Sequence, residues 1–470
     1  MVFEEGFHYG KQKVGNAKGG IFMNQSQVKG FGTRGIILII TLFLGFGTFQ
    51  VFTNFPLNIL ADFYGGSTTV AMLLTIGTLA GVVTQIILSR FVGNIKSIKK
   101  VASVFAVIAI ICAWLVAALP FYMTGLWYVF YLGVNYTVTI YALFFLSIIA
   151  GQWFPRRKGT IMGIATIAYP VCNAVIGFFA TAVYKPMETG VSDSPAIFKS
   201  FLPFLILATI GVILFLTLVT DYPEQCGAYR DNDKSFTPEM AQKMLEQEIE
   251  DKRTTVWTAA HTFTNRDFWC ASVVCGLILM CAVGTMTQSS TIIGSFPALN
   301  YTIIMMIIAV CGAVGSWLLG VIDTAIGTKK SMIICVFLMV IAGVLGVAAC
   351  RTGVGVLIII SLALVGIFMG ASSNYTVSVS VQYWRREDFA SVFAGINPVA
   401  NIFNAAAPTV VAMILYSAIG ITGVFLLITI AGIIGVVLML LFSPKHIKAV
   451  DDKYREAAGK PLDDALVGRK

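Results

Sequence analysis

Apolar residues fall along this chain in long blocks separated by short polar turns. A helix needs about 20 predominantly apolar residues to cross a bilayer. Twelve blocks reach that length, near 36–60, 68–89, 101–119, 126–152, 160–184, 200–220, 269–290, 301–322, 331–350, 354–381, 390–416 and 421–443. The longest polar stretch, 221–267, separates six blocks from six. The pattern predicts an all-α membrane protein with two pseudo-symmetric six-helix bundles, over 36–220 and 268–443. Cytoplasmic tails are expected over 1–35 and 444–470, with a cytoplasmic central loop over 221–267. In that loop Thr237 suits an N-cap, Pro238 the first helical position and Glu239 the first turn. A short amphipathic helix follows from these signals, with Met240, Met244 and Leu245 turned inward.

Composition narrows the class. The chain of 470 residues is 57% hydrophobic and 12% charged, with a mean hydropathy of +0.84. Soluble domains carry roughly a quarter charged residues, so a water-facing globule is excluded. With both termini in the cytoplasm, only Lys185, Lys199 and Arg351 of the 32 Lys and Arg fall outside. This matches the positive-inside rule, so the net charge of +9 reflects topology and not nucleic-acid binding. A polar, basic segment of 35 residues precedes the first apolar block, and no cleavable signal peptide is expected. The nine cysteines show no CxxC spacing, lie mostly in or at the edges of the blocks, and read as small packing residues without disulfides.

The two halves echo each other. Gly47 and Thr48 recur as Gly284 and Thr285, a basic turn follows both the second and eighth blocks, and "FPRRKG" after the fourth faces "WRREDF" after the tenth. "NYTVT" at 135–139 and "NYTVS" at 374–378 also match, but the first lies 21 residues before Arg156 and the second 12 before Arg386. Those two pentads are therefore expected at different depths.

Six plus six helices, a polar central loop and basic turns after helices 2 and 8 resemble the major facilitator superfamily over nearly the full chain. That family's turn reads roughly Gly-x-x-x-Asp-Arg-x-Gly-Arg-Arg. Here Arg90 stands where Asp is expected, followed by Gly93, Lys96, Lys99 and Lys100; the second copy has Gly320, Asp323, Gly327, Lys329 and Lys330, with Asp one place early. "DYPEQCGAYRDND", 221–233, is similar to the Pro-Glu-x-x-Gly-x-x-x-Asp-x-Asp stretch of oxalate/formate antiporter-like and monocarboxylate porters. The resemblance implies a twelve-helix carrier whose helices 1, 4, 7 and 10 line a central cavity, with 2, 5, 8 and 11 flanking it.

An absence carries most of the chemistry. No Asp, Glu, Lys, Arg or His lies well inside any block: Asp62, Arg90, Lys185, Lys199, Asp323 and Arg351 sit at block ends, and His8, His261 and His446 in polar segments. A charge at mid-membrane costs about 2.5–3.5 kcal/mol on insertion scales and is kept for uses such as proton relay. Facilitated diffusion or exchange is therefore expected before proton symport. Oxalate-exchanging relatives use cations in helices 8 and 11, which these blocks lack, so oxalate is a poor fit. "GTKKS" at 327–331 lacks the upstream glycine of a phosphate loop, so no ATP is expected. No nucleophile beside a His, acid pair or metal cluster appears in the blocks; neither an enzyme, a cofactor nor a metal is implied. A channel would show a charged ring or a carbonyl filter.

Neutral polar groups remain. In "NPVANIFN", Asn397, Asn401 and Asn404 fall at about 0°, 40° and −20° on a helix advancing ~100° per residue. Asn401 lies roughly 16 Å past a start near 390, close to the middle of a ~30 Å core. The candidate substrate contacts are Gln50, Asn54, Asn135, Tyr136, Tyr169, Gln288, Asn374, Tyr375, Asn401 and Asn404. Asn397, beside Pro398, is read instead as satisfying helix backbone or bonding a neighbouring helix. At the cytoplasmic rim Arg156, Arg157 and Lys158 oppose Asp323, Glu387 and Asp388, with Arg90 at the earlier turn, and inter-half ion pairs there would form a gate. The expected partners are a small-molecule substrate and the lipid bilayer, with no nucleic acid, in a monomer of the bacterial plasma membrane. The solute is expected to be neutral or an amphipathic monoanion such as a monocarboxylate; a non-transporting receptor and a proton-coupled exporter are the alternatives.

Overall fold

The computed structural model describes residues 30–460 and 462, apart from 56–59, 61–63, 90, 93–94, 156, 177–178, 180–193, 235–236, 254 and 386. Of residues 54, 67, 68, 121, 194–197, 244 and 251–253 it describes the backbone alone. Most of the expected N-terminal tail, with Asp62, Arg90, Arg156 and Lys185, lies outside the described residues. Twelve helices are long and apolar enough to cross a membrane: α1 Thr33–Thr53, α2 Thr69–Ser89, α3 Ile98–Ala118, α4 Thr124–Trp153, α5 Lys158–Ile176, α6 Phe198–Leu218, α7 Arg266–Thr287, α8 Tyr301–Ile326, α9 Thr328–Thr352, α10 Gly355–Tyr383, α11 Phe389–Leu415 and α12 Gly420–Leu441. All regular structure among the described residues is helical.

Packing repeats between the halves. Helix α4 packs on α2 and α3 as α10 packs on α8 and α9, and α1 lies on α5 as α7 lies on α11. The halves meet where α2 crosses α11 and where α5 crosses α8 and α10. The duplicated Gly-Thr pair has one physical role in both halves. A Cβ on Gly47 would lie 2.9 Å from Ala168 Cβ and 2.7 Å from Cys172 Sγ of α5, and one on Gly284 would run into Ala407 O and Val411 of α11. Each following threonine bonds back to its own helix, Thr48 to Leu44 O at 2.6 Å and Thr285 to Cys281 O at 2.7 Å. Such back-bonding bends helices, and α1 breaks after Gly47, α7 after Thr287. The asparagine pentads do not repeat in this way: Asn135 packs beside Gly77 of α2, whereas Asn374 sits by Gly163 of α5.

The 221–233 stretch is a clamp on the first half. Asp221 accepts from Ser97 Oγ and Lys99 N, both at 2.6 Å, at the start of α3. Asp231 accepts from Arg157 N at 3.1 Å. Arg230 joins Glu224 to Glu248, the latter at 2.5 Å, on the connecting helix Pro238–Arg253. Thr237 caps that helix through Met240 N. Its buried face is Ala241, Leu245 and Glu248, while Met240 is 51% exposed. The expectation that Met240 turns inward is corrected, because the ion pair to Arg230 fixes the helix rotation; the Met244 side chain lies outside the described residues.

The 444–470 tail contains a further helix, Pro444–Ala457, which buries Ile447, Asp451 and Arg455. Arg455 bonds Glu387 at 2.7 Å and Asp388 at 2.9 Å, and Arg385 bonds Asp451 at 3.0 Å. Trp257 Nε1 donates to Asp451 at 2.9 Å and Thr255 Oγ1 to Asp388 at 2.5 Å, so the end of the central loop joins the same cluster. Removing one partner from such a buried network costs about 3–5 kcal/mol, because it strands the other charge. Burial pushes the Asp388 carboxyl up to about 6 from 3.8, with Glu387 and Asp451 adding to the shift while Thr255 and Arg455 oppose it.

Two outcomes follow. Gly284→Val drives α7 off α11, and thermal unfolding of purified protein should show a loss of about 1–3 kcal/mol; a melt equal to wild type contradicts this close approach. Because Asp388 has a higher value folded than unfolded, its contribution to stability grows as pH falls below 6 and is lost as pH rises through 6. Wild type should therefore gain on the order of 1 kcal/mol between pH 7 and pH 5 relative to Asp388→Asn, and parallel pH profiles contradict the assignment.

Candidate functional site

Between the halves lies a cavity of about 70 Å³. It is bounded by Gln50 and Thr53 of α1, Thr78 of α2, Asn135 and Thr139 of α4, Tyr169 of α5, Leu279 and Val283 of α7, Ser372, Ser373 and Thr376 of α10, and Asn397, Asn401 and Asn404 of α11. The bend in α1 sets Gln50 on the wall, and a π-helical turn at Tyr141–Leu146 brings Ala142 and Leu143 of α4 to it. Pro398 and Pro408 lie inside α11, and Asn401 stands near the middle of that helix. None of the described residues bounding the cavity is Asp, Glu, Lys, Arg or His.

Five of the ten expected contacts, Gln50, Asn135, Tyr169, Asn401 and Asn404, meet here. Tyr136, Gln288, Asn374 and Tyr375 do not, and Asn54 has its side chain outside the described residues. Tyr375 is turned into the α9–α10 seam, its hydroxyl 2.8 Å from Ser331 Oγ and 3.1 Å from Ser331 O. The Tyr136 hydroxyl lies 3.1 Å from Thr84 Oγ1 of α2. Asn374 is buried against α5, accepting from Thr166 Oγ1 at 3.1 Å. Gln288 is buried at the break in α7. The cavity face of α10 is instead Met369, Ser372, Ser373 and Thr376, spaced i, i+3, i+4 and i+7; that spacing of small hydroxyls was the signal in the sequence that could have found them.

The halves are held together mainly by neutral bonds. Asn397 Nδ2 donates across to Gln85 Oε1 of α2 at 3.2 Å, and Gln85 Nε2 to Thr139 O at 2.7 Å. Thr75 and Thr409 hydroxyls lie 3.0 Å apart, Thr160 and Thr324 3.4 Å, and Thr166 bonds Asn374. Beneath the cavity Phe144 stacks on Phe393 with centroids 6.0 Å apart, and Phe389 packs on Gly151. Each amide or hydroxyl bond between membrane helices stabilises by about 0.6 kcal/mol. A handful gives a few kcal/mol, the range in which two conformations interconvert.

Arg157, Glu387 and Asp388 do not pair across the halves as expected, whereas Lys158 and Asp323 do interact across them. Arg157 stays in its own half, donating to Gly30 O at 2.9 Å and lying over Phe31 at 4.8 Å. Glu387 and Asp388 are taken by Arg455, as above. Asp231 serves Arg157, and Arg455 serves Glu387 and Asp388, in place of a partner across the interface. What crosses is Lys158, whose Nζ donates to Ser378 O of α10 at 2.9 Å and whose charge interacts with buried Asp323 of α8. Arg90 and Arg156 lie outside the described residues.

Residues 295–468 match the family model described as Major Facilitator Superfamily. Among solved structures, the chain is similar to the MFS proton:xylose symporter XylE bound to 6-bromo-6-deoxy-D-glucose, at 14% identity with a TM-score of 0.66, covering 89% of this chain and 95% of that one. No curated protein sequence matches. The chain thus has the major facilitator fold, and its C-terminal part matches the model of that superfamily.

Proposed function

We propose that this protein is a secondary carrier of the major facilitator superfamily that moves a small organic solute across a bilayer by alternating access. The supporting observation is a cavity between two repeated halves, walled by amides and hydroxyls without a formal charge. Carriers of this architecture bind at the repeat interface near the bilayer midplane. Exchange or uniport is the mode this wall favours, since a proton-coupled cycle needs a titratable group at the site. The symporter similar in fold is described as proton-coupled; the described cavity here offers no carboxylate for that role. The distribution of Lys and Arg supports cytoplasmic termini, and a monomer in a bacterial plasma membrane completes the reading. The 221–233 stretch favours an organic-acid carrier by resemblance, but its side chains clamp α3, α5 and the connecting helix and bear on the scaffold instead of the solute.

Purified protein in proteoliposomes should exchange labelled for unlabelled solute, and a protonophore should leave that exchange unchanged. Asn401→Leu should lower kcat/KM by about tenfold or more, the loss expected when a polar contact to a buried solute group is removed, with an unaltered melt. Accumulation that collapses when the pH gradient is dissipated contradicts the proposed mode.

A further inference from the structure

Helices α2 and α11 cross where the halves meet, and the cavity lies partway along both, bounded by Thr78 of α2 and Asn401 and Asn404 of α11. Among the described residues, a side-chain bond joins the two helices on either side of it. Toward the Ser89 end of α2 and the Phe389 start of α11, the side on which the termini lie, Asn397 Nδ2 donates to Gln85 Oε1 at 3.2 Å. Toward the opposite side the hydroxyls of Thr75 and Thr409 are 3.0 Å apart. At a rise of ~1.5 Å per residue the two bonds stand about 15 Å apart along α2 and about 18 Å apart along α11, so they bracket the cavity.

Burial ties the first bond to the opening of its face. Gln85 is fully buried and Asn397 nearly so, and Gln85 Nε2 is held by Thr139 O of α4 at 2.7 Å. Parting Gln85 from Asn397 in dry surroundings would leave the Gln85 amide oxygen unpaired, at the full cost of its desolvation. The pair separates at low cost only when water reaches it, so rupture of this bond and wetting of the terminal face are one event. Thr75 and Thr409 are half-buried, about two turns inside the opposite ends of their helices, where water replaces either hydroxyl once that face parts. A second seam runs along the terminal face, where Lys158 and Thr160 of α5 bond Ser378 O of α10 and Thr324 of α8. Gln85 touches neither.

Resting on the carrier reading above, we propose that Gln85–Asn397 and Thr75–Thr409 are the latches of the two faces, the first holding the terminal face shut and the second the opposite face, and that each cycle breaks them in turn. Gln85 and Thr75 are positioning residues: they act through α11, whose asparagines wall the cavity.

Hydrogen exchange of the full-length protein in nanodiscs separates a latch from a merely local bond, because a latch releases its whole face. Gln85→Leu should speed amide exchange about threefold or more, the effect of one polar bond between membrane helices. The increase should appear at 389–397 of α11 and also at 158–166 of α5 and 316–326 of α8, while 69–75 of α2 exchanges as in wild type. Gln85→Met, which keeps the side-chain length, should match it. Thr409→Val should speed 69–75 and 409–415 together with 284–287 of α7 and leave 158–166 unchanged. Thr75→Val should match Thr409→Val, the two combined should exceed neither alone, and Thr409→Ser should restore the wild-type rates. Loosening confined to α2 and α11, loosening of both faces by one substitution, or unchanged exchange overturns the assignment. The carrier reading is tested apart: proteoliposomes of Gln85→Leu/Thr409→Val should retain K+, since the faces open in turn. A K+ leak alongside the expected face-specific exchange leaves the latches standing and overturns the carrier.

Discussion

Hydrocarbon solvates neither a charge nor an unpaired dipole, and the rest of this structure is arranged around that constraint. Every polar group within the twelve helices must find a partner in the protein or in a water-accessible cavity. The chain answers largely with neutral groups: threonines bond back to their own helices and amides bond from helix to helix. Apart from Lys158 and Asp323, at the ends of α5 and α8, the charged clusters are placed elsewhere. The clusters around Arg230 and Arg455 tie in the connecting and C-terminal helices, where losing one partner costs a few kcal/mol.

This division separates the static parts from the moving ones. A carrier must break the contacts on one face of its central cavity in each cycle. Bonds such as Gln85–Asn397 and Thr166–Asn374 are individually weak and exchange partners at little cost. A gate of several buried ion pairs would hold one conformation too firmly for a small neutral solute to shift. The Phe144–Phe393 stack joins the halves by apolar packing without adding a charge.

Much of the fold was legible in the sequence because block length and charge placement answer directly to the bilayer. The Gly-Thr repeat at Gly47 and Gly284 was visible too, and it marks the helix contacts that relate the halves. Rotation of each helix was not legible. Lipid and a neighbouring helix are equally apolar, so hydrophobic pattern leaves open which face of α10 meets the cavity. The costly amide and ring of Asn374 and Tyr375 drew attention, whereas the cavity is met by the modest hydroxyls of Ser372, Ser373 and Thr376. On α11 the asparagine stripe did identify the wall, since three amides on one face exceed what backbone repair at two prolines requires. The gate misread charge for a related reason: Arg157, Glu387 and Asp388 seemed to need each other because Asp231 and Arg455, distant in sequence, were not recognised as their partners.

Recognition by dipoles alone has a direct signature in equilibrium binding. The affinity of the purified protein for its solute should stay within about twofold from pH 5 to pH 8, since no group at the cavity changes charge in that range. The titration of Asp388 would alter stability over the same range without altering affinity. An affinity that changes by close to tenfold per pH unit anywhere in that window would place a titrating group at the site and contradict the account.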